Sequence, residues 1–421
     1  MHTGTILFVE SGRGSFGMKP LRNAKALGFS TQLVCRDPAL YRRTADDVAV
    51  FDAVVDDVLT VDTADQEHCI ETVATAWAGR TVIGVFSAID YFVPTAARIA
   101  ARLGVRGLDV QAADRARDKR LTIEHCRQQG VPVPGAEYVD DPSSLARVGA
   151  TLGWPLVLKP VSEAASIGVR LCATEAEAEA HLTALMGSGT DMRGQRRARG
   201  ALAEEYLAGI EVSVESFDDG SGHRHTIGVT DKGSTGHPYF IENGETFPSL
   251  LPPRITDECI AVANAALDAI GFDFGPSHVE VCVTARGAVL VEVNARMAGA
   301  AIGDLVEHAT GIDLQLQTMR LHAGLPTDLT PSRAAGAASR YLVPRSAGRY
   351  AGTKGLDDVG RRPGFVRFEE YLSPGAAVAE PTSNVQVVGL VQFAAPTPAE
   401  ADRAARAAES ALTVLLDTTE A

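Results

Sequence analysis

The segment from residue 275 to residue 300 constrains the fold of this chain more than any other. Valines at 279, 281 and 283 alternate with other side chains, and valines at 289, 291 and 293 repeat the pattern after a short gap. Alternation with a period of two predicts two β-strands, each with one apolar face. The gap at 285–287 ends in glycine, which suits the left-handed position of a three-residue hairpin loop. The sequence therefore predicts a β-hairpin.

The predicted hairpin brings two carboxylates face to face. In the register that a three-residue loop sets, Glu280 lies opposite Glu292. His278 lies opposite Asn294 on the same face. A two-residue loop at 286–287 would shift the register by one residue and separate the glutamates. Facing like charges repel each other, and two carboxylates with one amide oxygen suit octahedral Mg²⁺. We predict that Glu280, Glu292 and Asn294 bind a metal ion, with a solvated acidic face as the alternative.

Two strings in this segment carry a family resemblance. The string E-V-N-A-R at 292–296 closely resembles the metal-binding and catalytic strand of the ATP-grasp enzymes, and G-P-S-H-V-E at 275–280 resembles the branch that ligates amino acids. By this resemblance the chain is identified as an ATP-grasp carboxylate–amine ligase, similar to the L-amino acid ligases (dipeptide synthetases). The resemblance implies ATP and Mg²⁺, or Mn²⁺, as cofactors. It also implies an α/β (α+β) fold with an N-terminal open parallel α/β domain, a central two-subdomain ATP clamp and a small antiparallel C-terminal subdomain.

The resemblance extends to the segments that would bind ATP. Two lysines take the positions of the family's lysines, a loop of small residues follows the second one, and a segment similar to the adenine hinge comes later. A lysine at a strand end before such a loop is a suitable phosphate ligand, because it offers a point charge with backbone N–H groups behind it. Each lysine alone would otherwise be a solvated surface charge. The implied ATP-binding residues are Lys119, Lys159, Ser166, Gly168, Glu204, Glu205, Tyr206, Leu207 and Glu211.

The resemblance also implies which residues act on the substrates. Arg296 is the implied catalytic arginine, whose planar fork can grip a carboxylate or an acyl-phosphate oxygen. His278 would orient the carboxyl substrate or donate a second hydrogen bond, with a structural histidine as the alternative. Gly299 and Tyr239 are expected to bind substrate. Residues 231–251 resemble the border of the acceptor pocket in amino-acid ligases, and an ordinary hairpin is the alternative there.

The beginning of the chain carries a different signature. A strand at 5–9, the string G-x-G-x-x-G at 12–17, a helix at 20–27 and a strand at 31–35 are followed by Asp37. This combination is typical of dinucleotide binding, and it leaves a dinucleotide-dependent oxidoreductase as a remote alternative. In ATP-grasp enzymes the equivalent domain commonly holds part of the substrate pocket. The expected layer is an open parallel sheet, completed by strands at 53–55 and 82–86 and helices at 66–77 and 94–103.

The rest of the chain divides into three further parts. The expected domains are 1–111, the N-terminal α/β domain; 112–200, the small ATP-grasp subdomain; 201–325, the large subdomain with the metal site; and 326–421, a C-terminal closing subdomain. We also expect one basic helix at 114–129, a mobile solvated loop at 191–200, residues 239 and 240 on a strand, helices at 257–270 and 303–310, C-terminal strands at 338–343, 365–368 and 385–391, and a helix at 398–415.

Composition limits the setting in which the chain works. A length of 421 residues allows two to four subdomains, and a net charge of −14 argues against nucleic acid as a partner. The six cysteines form no C-x-x-C pair, which favours reduced thiols. No apolar run is long enough to span a membrane and no signal peptide is visible, so we expect a cytoplasmic protein. The expected partners are a small-molecule acid and an amine, and a homodimer is left open.

The family resemblance implies an ATP-dependent reaction. A carboxylate would attack the γ-phosphoryl group, and an amine would then displace phosphate from the acyl phosphate, giving an amide or dipeptide with ADP and phosphate. Two alternatives remain beside the oxidoreductase. A biotin-carboxylase-like enzyme would use bicarbonate as the carboxylate, and a non-catalytic module would bind ATP without turning it over.

Overall fold

The computed structural model describes residues 4–12, 14–299 and 301–417, and the side chains of residues 14–16 lie outside this description. The N-terminal part is a parallel four-stranded sheet in the order β3-β2-β1-β4, as expected. Alternate residues of β1 pack against helices on opposite faces, so that both faces of the sheet are covered. In chain order the elements are β1 Thr5–Val9, α1 Gly14–Ala26, β2 Ser30–Cys35, α2 Ala45–Val54, β3 Asp57–Thr60, α3 Gln66–Ala76, β4 Val82–Phe86 and α4 Val93–Leu103.

The strand expected at 53–55 is wrong, because these residues end helix α2. Thr44 begins the helix with a capping box, in which its side chain accepts from the backbone N–H of Asp47 and the Asp47 carboxylate accepts from the backbone N–H of Thr44. The helix buries Phe51 and Val54 one turn apart. The apolar run therefore follows the helical period rather than the strand period.

The glycine turn after β1 has a steric explanation. A Cβ atom at Gly17 would lie 2.0 Å from the carbonyl carbon of Gly12, so the backbone itself requires glycine there. Asp37, the acidic residue of the expected fingerprint, accepts a hydrogen bond from the backbone N–H of Ala39 at 2.9 Å and caps a short 3₁₀ helix. Arg13, inside the turn, lies outside the described residues.

Two helices connect this layer to the next one. We expected a single helix at 114–129, but α5 Val110–Arg117 ends where α6 Lys119–Gln128 begins. Asp118 stands between them, extended, and its carboxylate caps α6 by accepting from the N–H groups of Arg120 and Leu121. The break places Lys119 at the first position of α6, where its own N–H donates to the carbonyl of Val161 at 2.9 Å.

The small subdomain is an antiparallel sheet in the order β5-β8-β6-β7. Its elements are β5 Ala136–Val139, α7 Leu145–Leu152, β6 Leu156–Pro160, β7 Arg170–Cys172, α8 Glu175–Met186 and β8 Ala201–Glu205. The loop at 191–200 is less solvated than expected. Arg197 is buried and pairs with Glu163 at 3.3 Å, and the Asp191 carboxylate accepts from the N–H groups of Arg193 and Gln195.

The large subdomain is built on the longest strands of the chain. Its elements are β9 Gly209–Asp218, β10 Arg224–Ser234, β11 Glu242–Phe247, α9 Pro253–Ile270, β12 Gly275–Thr284, β13 Gly287–Asn294, α10 Ile302–Thr310 and α11 Leu314–His322. Helix α9 buries Val262, Ala266 and Ile270, spaced by four residues, against Val279 and Val281 of β12. This packing fixes one face of the β12–β13 hairpin in the core. Residues 239 and 240, expected on a strand, lie in the turn between β10 and β11.

The C-terminal part continues the sheet of the large subdomain. Its elements are β14 Gly336–Leu342, β15 Gly348–Lys354, α12 Leu356–Val359, β16 Phe365–Glu370, β17 Ala377–Val378, β18 Gly389–Ala395, α13 Pro398–Ala411 and β19 Thr413–Asp417. Strand β14 pairs with β11, which gives an eight-stranded sheet in the order β13-β12-β9-β10-β11-β14-β18-β16. The remaining strands form a separate sheet, β17-β15-β19. The boundary that we proposed at 326 thus falls between strands of one sheet.

Two C-terminal expectations were wrong in their bounds. Residues 384–386 form a 3₁₀ turn before β18, and the expected helix to residue 415 ends at Ala411 so that the chain can return as β19. All six cysteines are buried and unpaired. Of the helices that the structure describes, none is long and apolar enough to cross a membrane.

Candidate active site

The β12–β13 hairpin has the predicted pairing at the site but a different loop. Thr284 pairs with Gly287, which leaves a two-residue loop in place of the expected three-residue loop. A continuous ladder from this loop would place Glu292 opposite Val279, facing the core. A bulge at Val291 corrects the register, so that Glu280 does pair with Glu292.

The bulge also gives Val291 a role that the alternating pattern hid. We expected Val291 to share a face with Val289 and Val293, but Leu290 and Val293 enter the core while Val291 lines a cavity. The Val291 carbonyl accepts a hydrogen bond from Lys159 Nζ at 3.3 Å. The extra residue therefore links the hairpin to the small subdomain.

The cavity lies between the small and large subdomains and has a volume of about 400 Å³. It brings together residues that are distant in sequence, from Asp90 to Val385. Two predicted residues, Gly168 and Tyr239, are absent from its lining among the residues that the structure describes. The predicted residues that do line it are Lys119, Lys159, Ser166, Glu204, Glu205, Tyr206, Leu207, Glu211, His278, Glu280, Glu292, Asn294, Arg296 and Gly299.

The two predicted phosphate lysines are buried and paired. Lys119 Nζ lies 3.0 Å from Glu292 Oε1 and donates to the carbonyl of Glu163 at 2.7 Å. Lys159 Nζ lies 2.8 Å from Glu204 Oε2. Burial alone would lower the pKa of Lys159, but the charges of Glu204 and Glu292 outweigh it and raise the pKa. The structure therefore rules out the alternative of solvated surface charges.

The hinge residues differ in what their side chains do. Glu204 is buried, and its Oε1 atom has no hydrogen-bond partner among the described residues. A buried acceptor without a partner is costly, so this oxygen is available to a donor on a bound ligand. The Glu205 side chain instead accepts from the N–H of Gly135 at 3.1 Å and pairs with Arg286 at 2.7 Å.

Lys232 is a central residue of the site that sequence analysis missed. Its Nζ atom lies 2.8 Å from Glu242, 3.3 Å from Glu211 and in short contact with Glu280. Burial would lower the pKa of Lys232, but the charges of Glu242, Glu280 and Glu211 together raise it well above its ordinary value. The signal lay in β10, where a lysine faces the same side as the acids of β9 once the strands are paired.

His278 is tied to carboxylates on both sides. Its Nδ1 lies 3.0 Å from Glu215 Oε2, and its Nε2 lies 3.2 Å from Glu280 Oε1. Burial would lower the pKa of His278, but Glu215 and Glu280 raise it to about 10, so the ring is protonated at neutral pH. Both ring nitrogens contact carboxylates, so the ring is placed to position Glu280, and the catalytic role of His278 stays a prediction.

Arg296 contacts the N-terminal layer. Its Nη2 donates to Asp90 Oδ2 at 2.5 Å, and its Nη1 donates to the carbonyl of Met297 at 2.7 Å. Both Arg296 and Asp90 line the cavity. Burial would raise the pKa of Asp90, but the charge of Arg296 lowers it below its ordinary value. Ala300, in the small run that follows Arg296, lies outside the described residues.

The loop at 162–168 is held from two sides. The Glu163 carboxylate accepts from the hydroxyl of Tyr91 in the N-terminal layer at 2.6 Å. From the C-terminal part, the Asn384 N–H donates to the Ala165 carbonyl. Ala165 and Ser166 both have left-handed backbones, with φ of 55° and 56°, which costs energy in residues other than glycine. Gly168, also left-handed, accepts at its carbonyl from His181 Nε2 at 2.8 Å and stays outside the cavity lining.

The predicted metal ligands fit a hard divalent cation by their chemistry and their register. Glu280 and Glu292 are paired across the hairpin, and Asn294 follows on the same face. Carboxylate and amide oxygens are the ligands that Mg²⁺ prefers. In the structure, however, both carboxylates contact lysines. No cluster of three or more His, Cys, Asp or Glu side chains suited to a metal occurs within the described ranges. Metal binding here stays a prediction.

Comparison with known families covers three parts of the chain. Residues 152–304 match the ATP-grasp domain, and residues 21–106 match the ATP-grasp N-terminal domain. Residues 340–417 match the L-amino acid ligase C-terminal domain 2. The N-terminal match takes in the helix and the second strand of the segment that had suggested a dinucleotide site, and it begins after the first strand and the glycine turn.

Curated relatives of the chain include ligases. The chain is 28% identical to the uncharacterized protein y4rH of Sinorhizobium fredii, over 94% of this chain and 80% of that protein. It is 25% identical to alanine–anticapsin ligase of Bacillus subtilis, over 66% and 63% of the two chains. It is 30% identical to carnosine synthase 1 of Gallus gallus over 71% of this chain, which spans only 34% of that longer protein.

Solved structures agree on the fold. The L-amino acid ligase of Bacillus licheniformis superimposes with a TM-score of 0.82 over 99% of both chains at 18% identity. The N5-carboxyaminoimidazole ribonucleotide synthetase of Thermotoga maritima superimposes with a TM-score of 0.72 at 16% identity, over 98% of this chain and all of that one. The solved structures show the fold, and the three family matches, which together cover most of the chain, show that it belongs to the ATP-grasp family and carries a C-terminal domain of the L-amino acid ligase type.

Proposed function

We propose that this protein joins the carboxyl group of an amino acid to an amine, forming an amide or dipeptide with ADP and phosphate. The observation that carries the proposal is the cavity in which buried lysines, the Glu280–Glu292 pair and Arg296 converge. The names of two relatives, alanine–anticapsin ligase and carnosine synthase, support an amino acid as a substrate. The match to the L-amino acid ligase C-terminal domain supports the same class.

The residues of the chain divide the work between two steps. Lys119 and Lys159 would bind the phosphate oxygens and offset the charge that is transferred. Glu204, through its unpartnered Oε1, would accept a hydrogen bond from the adenine amino group. Arg296 would hold the attacking carboxylate and then an oxygen of the acyl phosphate.

The metal would be held by Glu280, Glu292 and Asn294. When bound, Mg²⁺ would supply positive charge at the phosphate oxygens. His278 and Glu215 support this site from behind, since protonated His278 orients the Glu280 carboxylate. When the metal binds these carboxylates, Lys119 and Lys232 would give up their contacts with them and would contact the bound nucleotide instead.

The test is phosphate release from ATP and Mg²⁺ across a panel of amino acids, offered singly and in pairs, with mass analysis of the products. We expect phosphate release that depends on particular amino acids. We also expect a product whose mass is the sum of the two joined substrates less one water. A second candidate is a carboxylase, because biotin carboxylase and carboxyaminoimidazole ribonucleotide synthetase share this fold. Phosphate release stimulated by bicarbonate without amino acids would support the carboxylase and contradict the ligase.

A further inference from the structure

Glu245 is a buried carboxylate of the cavity with no role in the reaction described so far. It lies on β11, paired on one side with Lys232 of β10 and on the other with Ser339 of β14. It is 1% exposed, yet it lines the same cavity as Arg296 and Asn294. A buried carboxylate that faces a reaction cavity is a candidate for proton transfer.

The surroundings hold this carboxylate in place without neutralising it. Ser339 Oγ donates to Glu245 Oε2 at 2.8 Å, and the Tyr341 hydroxyl donates to the same oxygen at 2.9 Å. Both hydrogen bonds that the described residues make to the Glu245 side chain go to Oε2. Lys232 makes its contacts with Glu211, Glu242 and Glu280 instead. Among the described residues, two neutral hydroxyl groups therefore orient the Glu245 carboxylate, and no cation forms an ion pair with it.

A second bulge places another acid beside it. The pairing of β10 with β11 shifts between Gly233 and Ser234, so that Ser234 pairs with Glu242 while Gly233 pairs with Gly244. As a result Glu242 and Glu245 both line the cavity. The carboxylates of Glu211, Glu242, Glu245 and Glu280 outnumber the two cations that contact this group, Lys232 and protonated His278. A surplus of negative charge in a cavity attracts a cation, and a free amino group is a cation at neutral pH.

We infer that Glu245 binds the ammonium group of the second substrate and accepts its proton before the amine attacks the acyl phosphate. This inference rests on the proposed ligase function. One proton moves from the ammonium to the Glu245 carboxylate, and the nitrogen lone pair then forms the C–N bond. The C–O bond to phosphate breaks, phosphate leaves with the bonding electrons, and the second proton of the attacking nitrogen goes to the departing phosphate. Glu245 returns its proton to solvent.

The protonation behaviour of the group agrees with this role. Burial and the charge of Glu242 raise the pKa of Glu245 to about 7, and the hydrogen bonds from Ser339 and Tyr341 oppose the rise. A base with a pKa near the working pH is the most effective proton acceptor. The other charged or titratable groups around it are Lys232, Arg340 and Tyr371. Burial and the charge of Glu245 raise the pKa of Tyr341, so its hydroxyl remains a donor.

The test compares two nucleophiles on the same acyl phosphate. An amino acid arrives as an ammonium ion and needs a base, whereas hydroxylamine is already unprotonated at neutral pH and does not. We expect Glu245→Gln to lower the rate of amide formation by about 10²–10⁴-fold while hydroxamate formation stays close to that of the wild type. The matched control is Glu369→Gln. Glu369 is a half-exposed acid on β16 of the same sheet, and it is not among the described residues that line the cavity.

A second variant tests the proton transfer without removing the carboxylate. Tyr341→Phe deletes a hydrogen bond to the charged form of Glu245, so the pKa of Glu245 should rise and the acidic limb of the amide-forming rate should move to higher pH. An unshifted profile would overturn the inference. So would a Glu245→Gln enzyme that keeps amide formation, or one that loses amide and hydroxamate equally with a lowered melting temperature. If the wild-type protein forms no hydroxamate with any acid tested, the proposed ligase function is contradicted, and the inference falls with it.

Discussion

Lys159 joins three parts of the site, and its replacement should therefore have two separable effects. Lys159→Met removes the predicted phosphate ligand and leaves the buried Glu204 carboxylate without its lysine partner. Breaking a buried ion pair costs about 3–5 kcal/mol, so both ATP affinity and melting temperature should fall. In a Glu204→Gln background the same change should restore the melting temperature but not ATP affinity. Calorimetric titration with ATP measures the affinity of Lys159→Met, Glu204→Gln and the double variant. Undiminished ATP affinity in Lys159→Met would contradict the phosphate role.

Arg296 can be separated from its partner Asp90 in the same way. Arg296→Lys keeps the charge but loses the planar fork, and losing one well-placed transition-state donor costs about 10²–10³-fold in kcat. Asp90→Asn instead removes the negative charge that pairs with Arg296 while keeping the fork. We expect Arg296→Lys to be stable and slow, and Asp90→Asn to lose mainly melting temperature. Equal loss of stability in both, with activity retained, would make Arg296 a structural residue.

Among the elements, the loop at 162–168 depends on a single backbone donor from the C-terminal part. Asn384 is the first residue of a 3₁₀ turn, and Ser383 before it is extended, so proline fits the backbone there. Asn384→Pro removes the N–H that binds Ala165, whereas Asn384→Ala keeps it and removes only the side chain that accepts from the N–H of Glu242 at 2.9 Å.

We expect Asn384→Pro to raise KM for ATP several-fold more than Asn384→Ala does, because one hydrogen bond contributes about 0.5–1.5 kcal/mol. Steady-state kinetics with ATP varied at fixed amino acid measures the difference. Equal KM values in the two variants would show that the bond to Ala165 does not order the loop.

The elements also show what the sequence could and could not predict. The two strands of the hairpin and most helices were predictable, because local periodicity and caps specify them. Glu280 does pair with Glu292 as predicted, but through a two-residue loop and a bulge instead of the expected three-residue loop. The bulge at Val291 was not, since a bulge follows from pairing with β12 and leaves no local mark. The same holds for Lys232, whose importance arises only when β9, β10 and β12 lie side by side. The break at Asp118 was predictable, because aspartate before a helical run is a common cap.

At the scale of the whole molecule, His322 makes the contact between the N-terminal layer and the large sheet sensitive to acid. It lies on α11 between the rings of Phe86 and Phe274, and its Nδ1 has no partner among the described residues. Burial lowers the pKa of His322 to about 4. Folding therefore keeps the ring neutral, whereas the unfolded chain takes up a proton below its ordinary pKa of 6.5.

Burying the neutral ring costs no stability above the unfolded-state pKa of 6.5. As the pH falls from there toward 4, the free energy of unfolding decreases by up to about 3 kcal/mol. We expect the melting temperature of the wild type to drop more between about pH 7.5 and about pH 5 than that of His322→Leu. An equal drop in melting temperature across this pH range in the two proteins would contradict the prediction.

One continuous hydrogen-bonded sheet runs from β13, which carries Glu292, to β18 and β16 in the C-terminal part. The parts of the cavity on this sheet cannot separate without breaking its backbone hydrogen bonds, whereas Lys159 and the loop at 162–168 belong to the small subdomain, which has its own sheet. An opening of the cavity that moves the small subdomain would therefore carry Lys159, the predicted phosphate ligand, away and leave Glu245 and Glu280 in fixed relation. The selectivity for substrates would then depend on the rigid eight-stranded sheet, and the rate of opening and closing would depend on the small subdomain.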